Sequence, residues 1–230
     1  MRLALGFLGL LAVACGSVPS DGTDGGDEAD AVGLDGTSIG IDASGLDGGA
    51  LVGPVATQPV HHLQPLELGW HWTWQVNYDP GMIALGSECA DGEFVQDTIG
   101  FAVGPGGKVG TEIDVFCGEP GQKQIYTYLD GGVDYANAGL WVPYLRAPLE
   151  QGAAWSNSDG YTSVWEGPNP IGVAAGNFDA CWTAVVTDSV SGYITRQVYC
   201  PDVGLVYIEL TDTSFNPIVT AQITAYTRDP

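Results

Sequence analysis

Five cysteines and three histidines are the residues of this 230-residue chain best equipped to hold a metal, attack a carbonyl or cross-link strands. A zinc site needs three or four ligands at compact spacing, and neither H-x-x-x-H nor C-x-x-C occurs. His61 and His62 fall in a linker-like stretch and His71 on the polar side of the first predicted strand, so they read as solvated side chains and no metal is expected. The Asp-Gly run from Asp21 to Asp30 lacks the alternating ligands and closing Glu of a calcium loop. There is no G-x-S-x-G, and no histidine neighbours an evident nucleophile, so an acyl-transfer triad finds no support. No phosphate-cradling glycine loop precedes a helix, which leaves no cofactor to expect. Two carboxylates flanking a sugar bond would suit a glycan hydrolase. Spacing singles out no such pair, and the expectation is a protein without enzymatic activity.

The sulfur of Cys15 has a different setting. Met1-Arg2 supplies a basic start, Leu3 to Val13 is an apolar run of eleven residues, and small residues follow. This is the layout of an export signal, and the run is about half of what a helix needs to span a bilayer. Ala12-Val13-Ala14-Cys15, with Leu11 before it, resembles the lipobox of bacterial lipoproteins. The resemblance implies cleavage after residue 14, acylation (palmitate) of Cys15 and a membrane anchor. Gly16 in place of Asp, by the sorting habit of many Gram-negative lipoproteins, implies the outer membrane, on its periplasmic or surface face.

Removing Cys15 from the count leaves Cys89, Cys117, Cys181 and Cys200, an even set that suits two disulfides in an exported domain. Three pairings are possible. If Ser189-Val190-Ser191-Gly192 closes a four-residue hairpin loop, Asp188 faces Tyr193 and, counting back, Cys181 faces Cys200 at a Cα separation a disulfide tolerates. Cys89 and Cys117 are the favoured second pair, although the same count misses by five residues.

The mature chain divides by composition. Residues 15–57 hold no Lys, Arg, Trp, Tyr or Phe and are rich in Gly and Asp, so they read as a disordered acidic tether. Residues 58–230 carry all seven Trp and are predicted to be one all-β domain with a real core. The chain has 28 acidic and 6 basic residues, a net charge of −22. Such a surface repels nucleic acid, and none is expected as a partner.

Elements with a period of two position these residues. Trp70, Trp72, Trp74, Val76 and Tyr78 alternate with polar residues over a predicted strand, and further strands are predicted at 94–103, 109–117, 124–129, 155–166, 178–187, 193–200, 205–211 and 218–227. No long window holds a 3.6 period. The architecture expected is an antiparallel curved sheet, half-barrel or sandwich. An internal echo, P-L-E-x-G-x-x-W, appears at Pro65–Trp72 and again at Pro148–Trp155. It fits either a duplication or two strands that start alike.

"PLELGWHWTW", "AAGNFDACWTAVV" and "VYCPDVGLVYIEL" together resemble an uncharacterised group of Gram-negative envelope lipoproteins, DUF3108-like or TapB-like. Here Asn177 stands where Thr is commoner and Trp74 where the group has Tyr. The resemblance implies an all-β half-barrel and brings no catalytic residues. The expected function is a lipid-anchored envelope binding or structural module. Trp141, Trp155, Tyr161 and Trp165 are its candidate ligand-contact aromatics, and an envelope protein, glycan or hydrophobic molecule its partner. The alternatives are an envelope glycan hydrolase, needing a clefted acid pair, or an acyl carrier, needing a dry cavity of several hundred Å3.

Overall fold

The computed structural model describes residues 51–78, 91–116 and 121–229. Cys15, Cys89 and Cys117 lie outside the described residues, and with them the expected lipidation site and second disulfide.

Twelve strands follow in chain order: β1 (Trp70–Tyr78), β2 (Gly92–Val103), β3 (Val109–Asp114), β4 (Lys123–Leu129), β5 (Gly132–Asn137), β6 (Leu140–Arg146), β7 (Ala154–Ser156), β8 (Tyr161–Val173), β9 (Gly176–Asp188), β10 (Ile194–Cys200), β11 (Gly204–Thr211) and β12 (Pro217–Arg228). They form one antiparallel sheet in the spatial order β6-β5-β4-β3-β2-β1-β12-β11-β10-β9-β8-β7, curled into a nearly closed barrel. The chain is therefore two six-stranded meanders, β1–β6 and β7–β12, joined where β1 pairs with β12 from Trp70↔Arg228 to Tyr78↔Val219. The two copies of P-L-E-x-G-x-x-W stand at the same place in each meander. Gly69 (φ +88°) and Gly152 (φ +84°) turn the chain into the first strand of their halves, in a conformation that L side chains avoid.

The period of two along β1 places Trp70, Trp72, Trp74 and Val76 inside, all buried. Around the barrel Trp165, Tyr199, Ile113, Leu145, Ile208 and Ile223 fill the interior. Residues 51–69 complete it. The 3-10 turn Pro59–Leu63 places Val60, His61 and Leu63 in the core, with Leu66 behind them. Tyr128 ties this segment down, its hydroxyl donating to Gln64 O (2.9 Å) and accepting from Leu66 N (3.1 Å). Residues Leu51–Thr57, assigned by composition to the tether, belong to the packed structure: Ala56 lies against the core, and Gly53 passes so close to the Phe101 ring that a Cβ would overlap it.

The two end strands of the sheet, β6 and β7, share no ladder. Side chains bridge them instead. Trp165 Nε1 donates to Arg146 O (2.7 Å), Trp155 Nε1 to Tyr144 O (3.2 Å) and Asn157 Nδ2 to Pro143 O (3.5 Å). Tyr135 OH and Asn137 Nδ2 both reach Asp159. The edge carbonyls of β6 are thereby occupied, which keeps an exposed edge from recruiting a foreign strand. Arg146 also forms a two-pronged pair with Asp134, which is 3 % exposed. Gly132 lies directly opposite Arg146, and a Cβ there would meet Leu145 O at 1.9 Å.

Strands β5 and β6 were not among the predicted elements. Val133, Asp134 and Tyr135 are all buried, so the alternation that marks a half-buried strand is missing, and Pro143 interrupts β6. The predicted strand at 155–166 is two elements, split by a turn in which Asn157 Oδ1 accepts from Asp159 N and Tyr161 N.

Strand β9 pairs with β10 from Ile194↔Thr187 to Tyr199↔Trp182, and Asp188 N donates to Tyr193 O. One step further Cys181 and Cys200 are disulfide-bonded at a Cα separation of 4.3 Å. This is the register that the four-residue loop dictates. Beyond Glu166 the β8–β9 pairing is irregular, at Gly167 (φ +121°) and Ala180 (φ +57°). The distal half then folds back on β12: Ala175 N donates to Ile223 O (3.1 Å), and the Phe178 and Tyr226 rings lie 5.9 Å apart.

Candidate binding groove at the barrel mouth

Four separate parts of the chain converge on an open groove of about 650 Å3. Residues Ala56–Pro59, His62 and Leu63 make one wall. Leu149, from the loop between β6 and β7, and the β8–β9 irregularity (Pro168, Ala180, Trp182) make the second. The β10–β11 turn contributes Pro201 and Asp202. Because Trp182 stands opposite the buried Tyr199, it shares the inward face of the sheet, so the groove lies at the barrel mouth beside the segment that plugs it. Asp202 sits in the turn with φ +61°, a conformation Asp tolerates, and its side chain is 76 % exposed. Its Oδ1 lies 2.7 Å from His62 Nδ1, and its N–H donates to His62 O (2.8 Å). This double contact ties the plug to the turn across the groove.

The seven tryptophans divide by what their indole N–H groups do. Four are committed to backbone carbonyls: Trp72 to Val203, Trp141 to Pro105, Trp155 to Tyr144 and Trp165 to Arg146. Trp70 and Trp74 are buried with the N–H unpartnered. Trp182 alone lines the groove, half-buried, packed edge-on to Trp165 at 6.3 Å, with no partner for its N–H among the described residues. An aromatic face with a spare donor is well suited to hold a ligand. The aromatics singled out from sequence have other places. Trp165 and Tyr161 are core residues, Trp155 packs against Trp165 at a tilt at the seam, and Trp141 packs over Gly104. None of the four lines this groove. Trp182 was legible only as one strand residue among many. Its immediate neighbour Cys181, whose disulfide fixes that end of β9, was the available hint.

The histidines separate as well. His61, expected in solvent, is 2 % exposed, stacked on Tyr128 at 4.4 Å, and accepts from Thr57 N at Nδ1. Burial lowers its pKa below the usual 6.5. His71 bridges Asp97 (2.8 Å) and Asp229 (3.1 Å), and hydrogen bonds to those carboxylates raise its pKa. The Asp114 carboxyl is pushed up, first by burial and then by the charge of Asp97. That pair stands on β2 and β3, and neither member lines the groove, where Asp202 is the one carboxylate. A glycan hydrolase therefore finds no clefted acid pair in this groove. No group of three or more His, Cys, Asp or Glu is placed to hold a metal among the described residues.

Among the described residues the interior cavity is small. A cavity of about 30 Å3 lies among Tyr126, Tyr144, Gln64, Gln96 and Gln197, enough for water rather than for an acyl chain. Tyr199 OH bridges Tyr144 OH (2.7 Å) and Gln197 Oε1 (2.8 Å) beside it, and burial holds the pKa values of Tyr126 and Tyr199 well up.

The sequence matches no protein-family model and no curated protein. Among solved structures, the chain is similar to a Bacteroides fragilis protein classed as exported, with a YmcC-like fold (13 % identity, TM-score 0.43, covering 72 % of this chain and 98 % of that one). It is similar also to a protein classed as a lipoprotein from Parabacteroides distasonis (12 % identity, TM-score 0.37, covering 72 % and 98 %). A third likeness is to the Pseudomonas aeruginosa MucA/MucB complex (12 % identity, TM-score 0.34, covering 75 % and 55 %).

Proposed function

We propose that the protein is a lipid-anchored lipoprotein of the bacterial cell envelope whose barrel is a non-catalytic binding module, with its ligand seated in the groove at the barrel mouth. The observation that carries this reading is Trp182, the one tryptophan that lines this mostly apolar groove, its N–H without a partner among the described residues. The size of that groove falls in the range of about 300–1,000 Å3 typical of ligand sites. The interior cavity lined by the described residues, about 30 Å3, is too small for an acyl chain and does not favour an acyl carrier. In this reading residues 1–14 are removed, acylated Cys15 holds the protein on the outer membrane, and the acidic segment up to residue 50 is a tether. A disulfide between Cys181 and Cys200 suits the oxidising side of the cytoplasmic membrane.

Two experiments test it. Metabolic labelling with a palmitate analogue is expected to mark wild type and not Cys15→Ala, and equal labelling refutes the anchor. For the module, the full chain is titrated with peptidoglycan fragments, short peptides and phospholipid vesicles. At least one is expected to bind wild type and to be lost on Trp182→Ala. Retention of every ligand by that variant refutes the groove.

A further inference from the structure

Two features of the groove narrow what it can hold. The first is an unspent backbone. From Leu51 to Ala56 no N–H or C=O is hydrogen-bonded to another described residue, and this stretch belongs to no strand. It runs into the groove wall at Ala56, and Val52 and Val55 on it are 80 % and 71 % exposed. A free, apolar stretch of backbone offers a peptide main chain both hydrogen bonds and side-chain contacts. A sugar or lipid can meet single backbone groups, but only an extended main chain repeats donors and acceptors along such a row.

The second feature is charge. Of the five Lys and Arg after residue 57, four are committed elsewhere: Arg146 to Asp134, Arg196 to Glu166, Lys123 to Glu112 and Arg228 over the Trp70 ring. None of the five lines the groove, which instead carries the exposed Asp202. On a chain of net charge −22, an anionic occupant is disfavoured. A neutral glycan meets few polar partners, because the lining is mostly Ala, Leu, Pro and Trp.

We propose that the groove takes an extended peptide segment with an apolar side chain between basic residues, its main chain laid along Leu51–Ala56 and its apolar residue seated on Trp182. The inference rests on the groove reading above and names the occupant. Asp202 attracts a flanking basic side chain, so affinity falls with added salt.

The test is calorimetric titration of the purified full-chain protein in detergent with three probes: a capped nonapeptide alternating Leu and Lys, its twin with Glu for Lys, and chitotetraose. The Lys peptide is expected to bind at least about tenfold more tightly than the Glu twin, with affinity that declines between low and physiological salt. Trp182→Ala is expected to weaken it about tenfold or more. Because Trp182 also packs on Trp165, two exposed substitutions carry the test if that variant fails to fold. Asp202→Asn keeps the turn and should weaken binding a few-fold with a flatter salt dependence. Val55→Pro removes one N–H and should weaken it likewise. Equal affinity for the twins, no binding of the Lys peptide, or indifference to both exposed substitutions overturns the proposal. Chitotetraose binding that is lost on Trp182→Ala, with no peptide binding, overturns the occupant and leaves the groove reading standing. Binding of every probe unaffected by Trp182→Ala overturns both.

Discussion

The barrel is closed at its seam by indole N–H groups, and Trp165→Phe isolates that contribution. Trp165 is fully buried and donates to Arg146 O at 2.7 Å across the gap between β8 and β6. Phenylalanine keeps most of the ring but removes the donor. A neutral hydrogen bond contributes a net of about 0.5–1.5 kcal/mol, and a buried carbonyl left without its partner costs about 1–3 kcal/mol, two descriptions that overlap rather than add. The smaller ring leaves roughly 40 Å3, worth about 1 kcal/mol at ~24 cal/mol per Å3 of cavity. The expected loss is therefore about 2–4 kcal/mol. Trp155→Phe is the control: that indole is half-buried and its bond to Tyr144 O is longer, 3.2 Å, so about 1 kcal/mol or less is expected. Urea denaturation of both variants gives the two numbers. Hydrogen exchange of the β6 amides should rise selectively in Trp165→Phe, since opening the seam frees that edge. A Trp165→Phe loss below about 1 kcal/mol, or no larger than that of Trp155→Phe, refutes the account of closure.

Three further outcomes follow from the same structure. Replacing Cys181 and Cys200 together by Ala should cost about 3 kcal/mol in chemical denaturation, the chain-entropy value for a loop spanning 19 residues, and a loss under about 1 kcal/mol would show that the cross-link restrains little. The two placed histidines should pull stability in opposite directions with pH. His61 is held neutral by burial, so the unfolded chain binds a proton that the folded one refuses and stability drops as pH falls below 6.5; His61→Phe should flatten that slope. His71 has a raised pKa, so its stabilisation is complete below 6.5 and disappears as pH rises through its folded value; His71→Asn should remove that loss, and unchanged slopes would contradict either assignment. Asp134→Ala leaves the Arg146 guanidinium largely buried without its partner, and a loss of about 3–5 kcal/mol is expected in thermal or urea unfolding, whereas a neutral result would mean that Arg146 finds water.

How far the sequence reaches depends on which forces are local. Periods of two in Trp70–Tyr78 and Ile218–Thr227, with turn residues between runs, identify strands because alternating burial is a property of one strand and one core. The hairpin loop at Ser189–Gly192 likewise counts out the register that brings Cys181 to Cys200, since neighbouring strands joined by a short loop have no freedom to slip. Strands β5 and β6 escaped because Asp134 is charged yet buried, and only the distant Arg146 makes that tolerable. His61 read as solvated because its Tyr128 and Leu129 partners are 67 and 68 residues away. The candidate site escaped for the same reason. Trp141, Trp155 and Trp165 have the same side chain as Trp182, and nothing local distinguishes an indole that meets a carbonyl from one that does not.

By itself the sequence determined the all-β class, an antiparallel curved sheet and one disulfide register, and it carries the pattern of an export signal, all of which follow from patterns within a few tens of residues. Tertiary structure decided that β1 meets β12 to join two six-stranded halves, that side chains rather than a ladder close the seam, and that residues 51–66 plug the mouth. It alone selected Trp182 from seven tryptophans. These outcomes depend on curvature summed over the whole sheet and on partners outside any one strand or hairpin, from Trp165 and Arg146 across the seam to Trp70 and Arg228 at the join, and no local period encodes them.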